Sequence, residues 1–282
     1  MDIYIKFIYS LVVVLILAYA IKRKGYLDNM GVVVSSIMAF IIIMGTDLKW
    51  LLLMVGFLIL GSLISRVGHS KKKSMGIYES KRSIKNVLAN GVVAVLIIIL
   101  YLIGILDYSM ALFGYVGAIS AATSDTFSSE LGILSNETPR LITNFKKVEK
   151  GVDGGITFYG TVAGVLGGFL ISFMAGLLFN DYNLLWIGIL SGILGNFSDS
   201  LFGALFERRN ILNNEHVNFI CTLVGGLSAM ILYGLKKIKK KKIGAIGIET
   251  AREFERTFNR EVDVVPKEYT AESLLESLKE EI

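Results

Sequence analysis

The fold turns on Ala111-Leu-Phe-Gly-Tyr-Val-Gly-Ala-Ile-Ser-Ala-Ala-Thr-Ser-Asp-Thr-Phe-Ser-Ser-Glu-Leu-Gly132. Residues 111–122 are apolar or small, and then Thr123, Asp125, Thr126, Ser128, Ser129 and Glu130 arrive together. A segment that enters a bilayer apolar and leaves it polar sets carboxylates beside lipid. Such groups are costly there and mark a wet cavity or a partner. Soon after come Pro139-Arg140-Leu-Ile-Thr143, Lys146-Lys147 and Gly151-Val-Asp-Gly-Gly-Ile-Thr157. Acids, bases and glycines gathered at one membrane face point to a phosphate and metal site rather than a bare pore.

Working outward, the chain is 53% hydrophobic with mean hydropathy +0.61, which excludes an ordinary soluble domain. Apolar runs lie at 4–21, 31–44, 48–64, 87–106, 111–122, 156–179, 184–206 and 219–235. They predict an all-α, polytopic transmembrane helical bundle of seven or eight spans, one or two of them re-entrant. The second and fifth runs are short, and tilt, close pairing or flanking polar residues would extend them. Residues 1–21 lack a small-residue cleavage site and read as a retained first span. Cys221 is the only cysteine, so no intrachain disulfide forms, and its apolar setting assigns it to packing.

The formal charge of +5 divides unevenly: residues 243–282 carry ten acids and five bases, leaving residues 1–242 at net +10. Basic groups follow the first, third, fifth and seventh runs and set that face cytoplasmic, with the N-terminus outside. Lys236 to Lys242 break the pattern: the last run is re-entrant, an earlier run does not cross, or the rule fails here. Residues 1–242 therefore read as the transmembrane catalytic domain. Residues 243–282 read as a small, soluble, helical, acidic tail with Thr270 as an N-cap, or as an expression-derived addition.

Polar stripes run along several helices. Asn86 and Asn90 are four apart; Thr157, Thr161, Gly164 and Gly168 share a face, as do Gly192, Asn196, Asp199 and Gly203. The glycines alone suit close helix packing. Asp199 near the end of an apolar helix suits function. On an unbroken helix Asp125 and Glu130 stand about 140° apart. Either the helix breaks near Ser128-Ser129, or the two acids meet different groups, Asp125 meeting Asp199 and both acids open to salt bridges with Arg140 or Lys147. Arg140, Lys146 and Lys147 suit phosphate, or plain anchoring at the cytoplasmic face. The backbone of Gly151–Gly155 suits an anion or an ordinary turn. There is no Walker A motif, and His69 and His216 are the only histidines.

In order along the chain stand Lys85-Asn86-Val-Leu-Ala-Asn90-Gly91, Ala122-Thr-Ser-Asp-Thr126 with Ser129-Glu130-Leu-Gly132, Pro139-Arg140-Leu-Ile-Thr143, Gly154-Gly155-Ile-Thr157 and Asn196-Phe-Ser-Asp-Ser200-Leu-Phe-Gly203-Ala204. Asn213-Asn214 and Val217-Asn218 follow. Over roughly residues 1–240 this resembles the integral-membrane family of plant phytyl-phosphate kinase and animal transmembrane protein 19. The resemblance implies an isoprenoid-alcohol monophosphate kinase, allied with CTP-using phytol and dolichol kinases and CDP-diacylglycerol synthases.

On that resemblance the expected reaction converts an isoprenyl monophosphate, phytyl-like or polyprenyl, to its diphosphate, with CTP as donor and Mg²⁺ as cofactor. Asp125, Glu130 and Asp199 are the metal and donor-phosphate candidates, and Arg140 and Lys147 the phosphate-charge candidates. Lys81, Arg82, Asn86, Asn90, Thr123, Thr126, Gly154, Gly155, Thr157, Asn196, Asn214 and Asn218 complete the binding set. The partners are the prenyl phosphate, the nucleotide and membrane lipid; no nucleic acid is expected, and a homo-oligomer is left open. The site would face the cytoplasm at the cell membrane. Two rivals remain: a membrane cytidylyltransferase forming a CMP-linked lipid, and an ion-coupled transporter.

Overall fold

Each apolar run folds as a helix because nothing in it interrupts the backbone ladder. Neither Pro139 nor Pro266 lies in a span. The helix entries are capped by aspartates: Asp2, Asp28, Asp47, Asp107 and Asp181 each accept a hydrogen bond from an amide two or three residues ahead.

The computed structural model describes residues 2–75, 82–239, 243–258 and 261–280. Its helices are α1 (Ile3–Lys24), α2 (Asn29–Gly45), α3 (Leu48–Arg66), α4 (His69–Ser74), α5 (Ile84–Leu102), α6 (Tyr108–Gly132), α7 (Phe158–Phe179), α8 (Asn183–Leu205), α9 (Asn214–Lys239), α10 (Ile248–Phe258) and α11 (Ala271–Glu280). A two-residue antiparallel ladder, β1 (Arg140–Leu141) with β2 (Gly155–Ile156), sits between α6 and α7. Among the described residues six helices are long and apolar enough to cross a membrane: α1, α3, α5, α7, α8 and α9. Helix α2 is apolar and shorter. The protein is an all-α integral membrane protein. The eighth run is one continuous helix, α9, which removes the re-entrant reading of it.

Helix α6 organises the bundle. It continues unbroken through its polar end, 25 residues or about 37 Å. Residues 111–124 are buried throughout. It packs against α3, α5, α7 and α8. Small residues permit the close approach: a Cβ on Gly164 would stand 2.6 Å from Asn196 Nδ2 and 3.1 Å from Ser124 O. Between α6 and α7 the hydroxyls of Ser120 and Ser172 meet at 2.9 Å. At the start of α6 the rings of Trp50, Tyr108, Tyr115 and Phe179 pack together, and Tyr115 Oη donates to Trp50 O at 2.8 Å. The outward faces of α1 and α7 expose Ile8, Val12, Leu15, Phe158, Val162 and Leu166, the surface a bilayer covers.

The chain divides into two compact units, 1–233 and 234–282, with the division inside α9. In the second unit Gly244 bridges Val264, Ala245 and Ala251 are buried, and Thr270 Oγ1 accepts from Ser273 N at 3.1 Å as the expected cap of α11.

Candidate functional site

At the polar end of α6 the bundle opens into a cavity with two lobes. The first holds about 230 Å³ and is lined by Ser62, Ser65 and Arg66 of α3, Arg82, Asn86 and Asn90 at the start of α5, Asp125, Thr126 and Glu130 of α6, Asp199 of α8, and Asn214 and Asn218 of α9. The second holds about 190 Å³ and lies between α6, α8 and the 150–157 loop, where Lys150, Asp153, Gly154, Gly155, Thr157, Asn196 and Glu207 line it. Asp125, Ser129, Asp199 and Asn214 line both. Helix periodicity makes this possible: each of these helices carries its polar residues on one face near the same end of the bundle.

Asp125 of α6 and Asp199 of α8 both line the two lobes, and at their junction the two carboxyl groups lie near enough to interact. Asp199 Oδ2 is buried and has no hydrogen-bond partner among the described residues. Two neighbouring carboxylates need a shared proton or a cation between them. Arg82 lies near enough to offset part of the charge on Asp125. Asp153 and Glu207 add negative charge beside Asp199.

Glu130 has a different environment. Its Oε2 is 2.6 Å from Lys72 Nζ and its Oε1 accepts from Ser65 Oγ at 2.6 Å. Lys72 is buried at 2% exposure, and its ammonium also donates to Ile64 O and Ser65 O at 3.4 and 3.3 Å. Because α6 does not break, the two acids point apart and meet different groups, as the spacing allows. The salt-bridge partner of Glu130 is Lys72, not Arg140 or Lys147. Among the described residues no group of three or more acids, histidines or cysteines is placed to hold one ion. The expected three-carboxylate set therefore reduces to the Asp125–Asp199 pair.

Several expected binding residues lie away from both lobes. Thr123 is fully buried and its hydroxyl bonds back to Ile119 O at 2.8 Å, so it packs within the helix. Arg140 and Lys147 are exposed on the hairpin, bridged to each other through backbone, with Arg140 Nη1 donating to Phe145 O at 2.9 Å. Sequence proximity to the glycine loop does not bring them to the cavity: Pro139 and Ile156 line the second lobe, whereas Arg140 and Lys147 line neither lobe. Lys81 lies outside the described residues.

The start of α7 is answered by the protein itself. Glu137 accepts from Phe158 N and Tyr159 N at 2.8 and 3.3 Å, and Thr157 Oγ1 accepts from Gly160 N at 3.0 Å. Thr157 is thus a cap that also lines the second lobe. Gly154, at φ 74°, lies against Ala204 of α8, where a side chain would clash. Asn213 caps α9, its Oδ1 accepting from His216 N at 2.9 Å, and His216 Nδ1 accepts in return from Asn213 N at 3.4 Å.

Residues not singled out from the sequence complete the cavity: Ser65, Arg66, Lys150, Asp153 and Glu207, with Lys72 buried against Glu130. Glu207 continues the 192–196–199–203 stripe by four residues, a signal that was available. Asp153 lay inside the quoted glycine loop. Its carboxyl is pushed above the ordinary carboxylate range by partial burial, with Arg208 opposing.

A divalent cation fits this donor set. Mg²⁺ is commonly held by one or two carboxylates together with substrate phosphates and water. The neighbouring pair and the unpartnered Asp199 oxygen offer such a seat, and Asp153 and Glu207 deepen its negative charge.

Fold and cavity together define a polytopic, all-α integral membrane protein with a carboxylate-centred cavity at one end. The chain belongs to the family described as integral membrane protein DUF92, whose model matches residues 12–226. An uncharacterized membrane protein of Methanocaldococcus jannaschii is 54% identical over 233 residues, 83% of this chain and 97% of that protein. Protein PGR of Arabidopsis thaliana is 26% identical over 229 residues, 72% of this chain and 79% of that one. Protein VTE6, chloroplastic, also of Arabidopsis thaliana, is 27% identical over 192 residues, 64% of this chain and 57% of that one. No solved structure matches the chain.

Proposed function

We propose that this protein is a CTP-dependent kinase that converts an isoprenyl monophosphate to the diphosphate at the cytoplasmic face of the cell membrane. The observation that carries the reading is the Asp125–Asp199 pair, with its unpartnered buried oxygen, where two lobes join. Phosphoryl transfer between two substrates needs two seats and a charged junction. The motif resemblance to the phytyl-phosphate kinase family and the similarity to VTE6 support a prenyl phosphate as acceptor.

An acceptor monophosphate oxygen attacks the γ-phosphorus of CTP. The bond from γ-phosphorus to the bridging oxygen breaks, and CDP leaves with that electron pair. The acceptor is already anionic, so the step asks for positioning and charge neutralisation rather than a dedicated base. Bound Mg²⁺ would neutralise donor phosphate charge at Asp125 and Asp199. Arg82, with Asn86 and Asn90, faces the anion in the first lobe. Lys72 holds Glu130 in an ion pair, which keeps that acid from repelling the acceptor. Asn214 offers a neutral donor at the junction and Asn196 one in the second lobe.

Purified protein given labelled CTP and an isoprenyl monophosphate should yield CDP and the diphosphate in equal amounts. Pyrophosphate appearing in step with a CMP-linked lipid would replace the kinase by a cytidylyltransferase. Neither product, with substrate-dependent flux in sealed vesicles, would replace it by a transporter.

A further inference from the structure

A third cavity lies beside the first lobe. It holds about 70 Å³ among α1, α2, α3 and α5, and its walls include Leu17, Ala18, Ala39, Met54 and Leu58. The hydroxyls of Ser35 and Ser36 also reach it, but both donate to Val32 O, at 3.1 and 2.7 Å, so they add little free polarity. Arg82 and Asn86 line this crevice and the first lobe alike. The Arg82 guanidinium lies 5.2 Å from the Phe57 ring centroid, at the boundary between apolar wall and polar lobe.

A lipid monophosphate is an anion joined to a hydrocarbon. It needs a site in which a cation and hydrogen-bond donors give way directly to an apolar slot. The crevice and first lobe form such a junction. The second lobe shares no wall residue with the crevice, and its own apolar lining, Ile133, Pro139, Val152 and Ile156, is set among the acids Asp153, Asp199 and Glu207.

We propose that the crevice takes the head-proximal carbons of the acceptor's tail, with the acceptor phosphate at Arg82 and Asn86. The assignment rests on the kinase reading above and deepens it: the lipid belongs to the first lobe and the nucleotide to the second, acid-rich one. The remaining tail passes α1, whose outer face is exposed and apolar at Leu15 and Ile16, into the bilayer. Helix α1 packs on α2 and forms the outer wall of the crevice.

The test uses the full chain in lipid nanodiscs and a long-chain isoprenyl monophosphate carrying a diazirine near its head. After irradiation, the labelled residues are mapped by mass spectrometry. Label should fall on crevice residues of α1, α2, α3 or α5, and unlabelled farnesyl monophosphate should displace it better than farnesol does. Ala39→Phe fills the crevice from α2 and Ala18→Trp fills it from α1; each should cut the label at least about fivefold, the scale on which apolar pockets discriminate size. Label confined to the outer faces of α7 and α8 would overturn the placement, and the wild-type map alone decides this if either variant fails to fold. The same preparation given labelled CTP separates the two claims. Crevice labelling without phosphotransfer overturns the kinase reading and keeps the tail site; phosphotransfer with labelling elsewhere does the reverse.

Discussion

The two lobes share four residues yet handle charge in opposite ways. In the first, Glu130 is answered by a buried ammonium and a serine hydroxyl, and Arg66 and Arg82 add positive charge. In the second, Asp153 and Glu207 add to Asp125 and Asp199, against the ammonium of Lys150, which donates to Ser135 O. One side balances its acids with cations and the other leaves its acids in excess, a few residues apart on the same helices. Such a gradient suits two phosphorylated reactants held by different means: one by protein cations, the other through a metal. The distinction between the lobes can be broken by removing charge from either side.

The largest effect belongs to the junction. Asp199→Asn and Asp125→Asn should each lower kcat by about 10³-fold, roughly 4 kcal/mol, across all Mg²⁺ concentrations. Without Mg²⁺, neither variant should lose thermal stability, because each removes repulsion between neighbouring acids. Near-normal turnover in a folded variant would remove that residue from the site. A fall in Tm without Mg²⁺ would show the acid to be a structural partner instead.

Next is the neutralised acid of the first lobe. Lys72→Met leaves Glu130 without its cation and should cost about 2–3 kcal/mol, less than a fully buried pair because Glu130 is 28% exposed. Lys72→Met combined with Glu130→Gln should recover most of that loss. Denaturation in detergent measures both, and a neutral single variant would mean the pair behaves like a surface one. In the second lobe, Glu207→Gln removes one charge from beside Asp199. It should raise the Mg²⁺ needed for half-maximal rate by about three- to tenfold, since site charge tunes cation affinity. An unchanged Mg²⁺ requirement would separate Glu207 from the cation seat.

The contrast between lobes was only half legible in the sequence. Eight apolar runs announce eight helices, and a carboxylate at the end of an apolar helix announces Asp125 and Asp199. The aspartates carried a further signal: Asp2, Asp28, Asp47, Asp107 and Asp181 all stand at helix entries and serve there as caps. Setting those aside leaves Asp125, Asp153 and Asp199 in the first unit, the three that line the second lobe. Lys72 was not legible, because composition cannot choose the buried member of Lys71-Lys72-Lys73. Arg140 and Lys147 misled for a related reason: charge and nearness in sequence say nothing of which way a hairpin turns.

Asp153 gives the smallest and sharpest test of the acid-rich side. Its carboxyl is raised by partial burial more than Arg208 lowers it. The folded protein therefore holds this proton to higher pH than the unfolded chain does. Its contribution to stability is fully present below the ordinary carboxylate range and is lost as pH rises through the elevated value. Asp153→Asn removes that dependence. The variant should match the wild type in Tm near pH 4 and exceed it slightly by about pH 7. The gain is small because Asp153 is exposed to solvent, which screens it. A variant less stable than the wild type at neutral pH would reverse the sign. Attraction to Arg208 would then outweigh burial, and this edge of the second lobe would hold its charge by an ion pair, as the first lobe does.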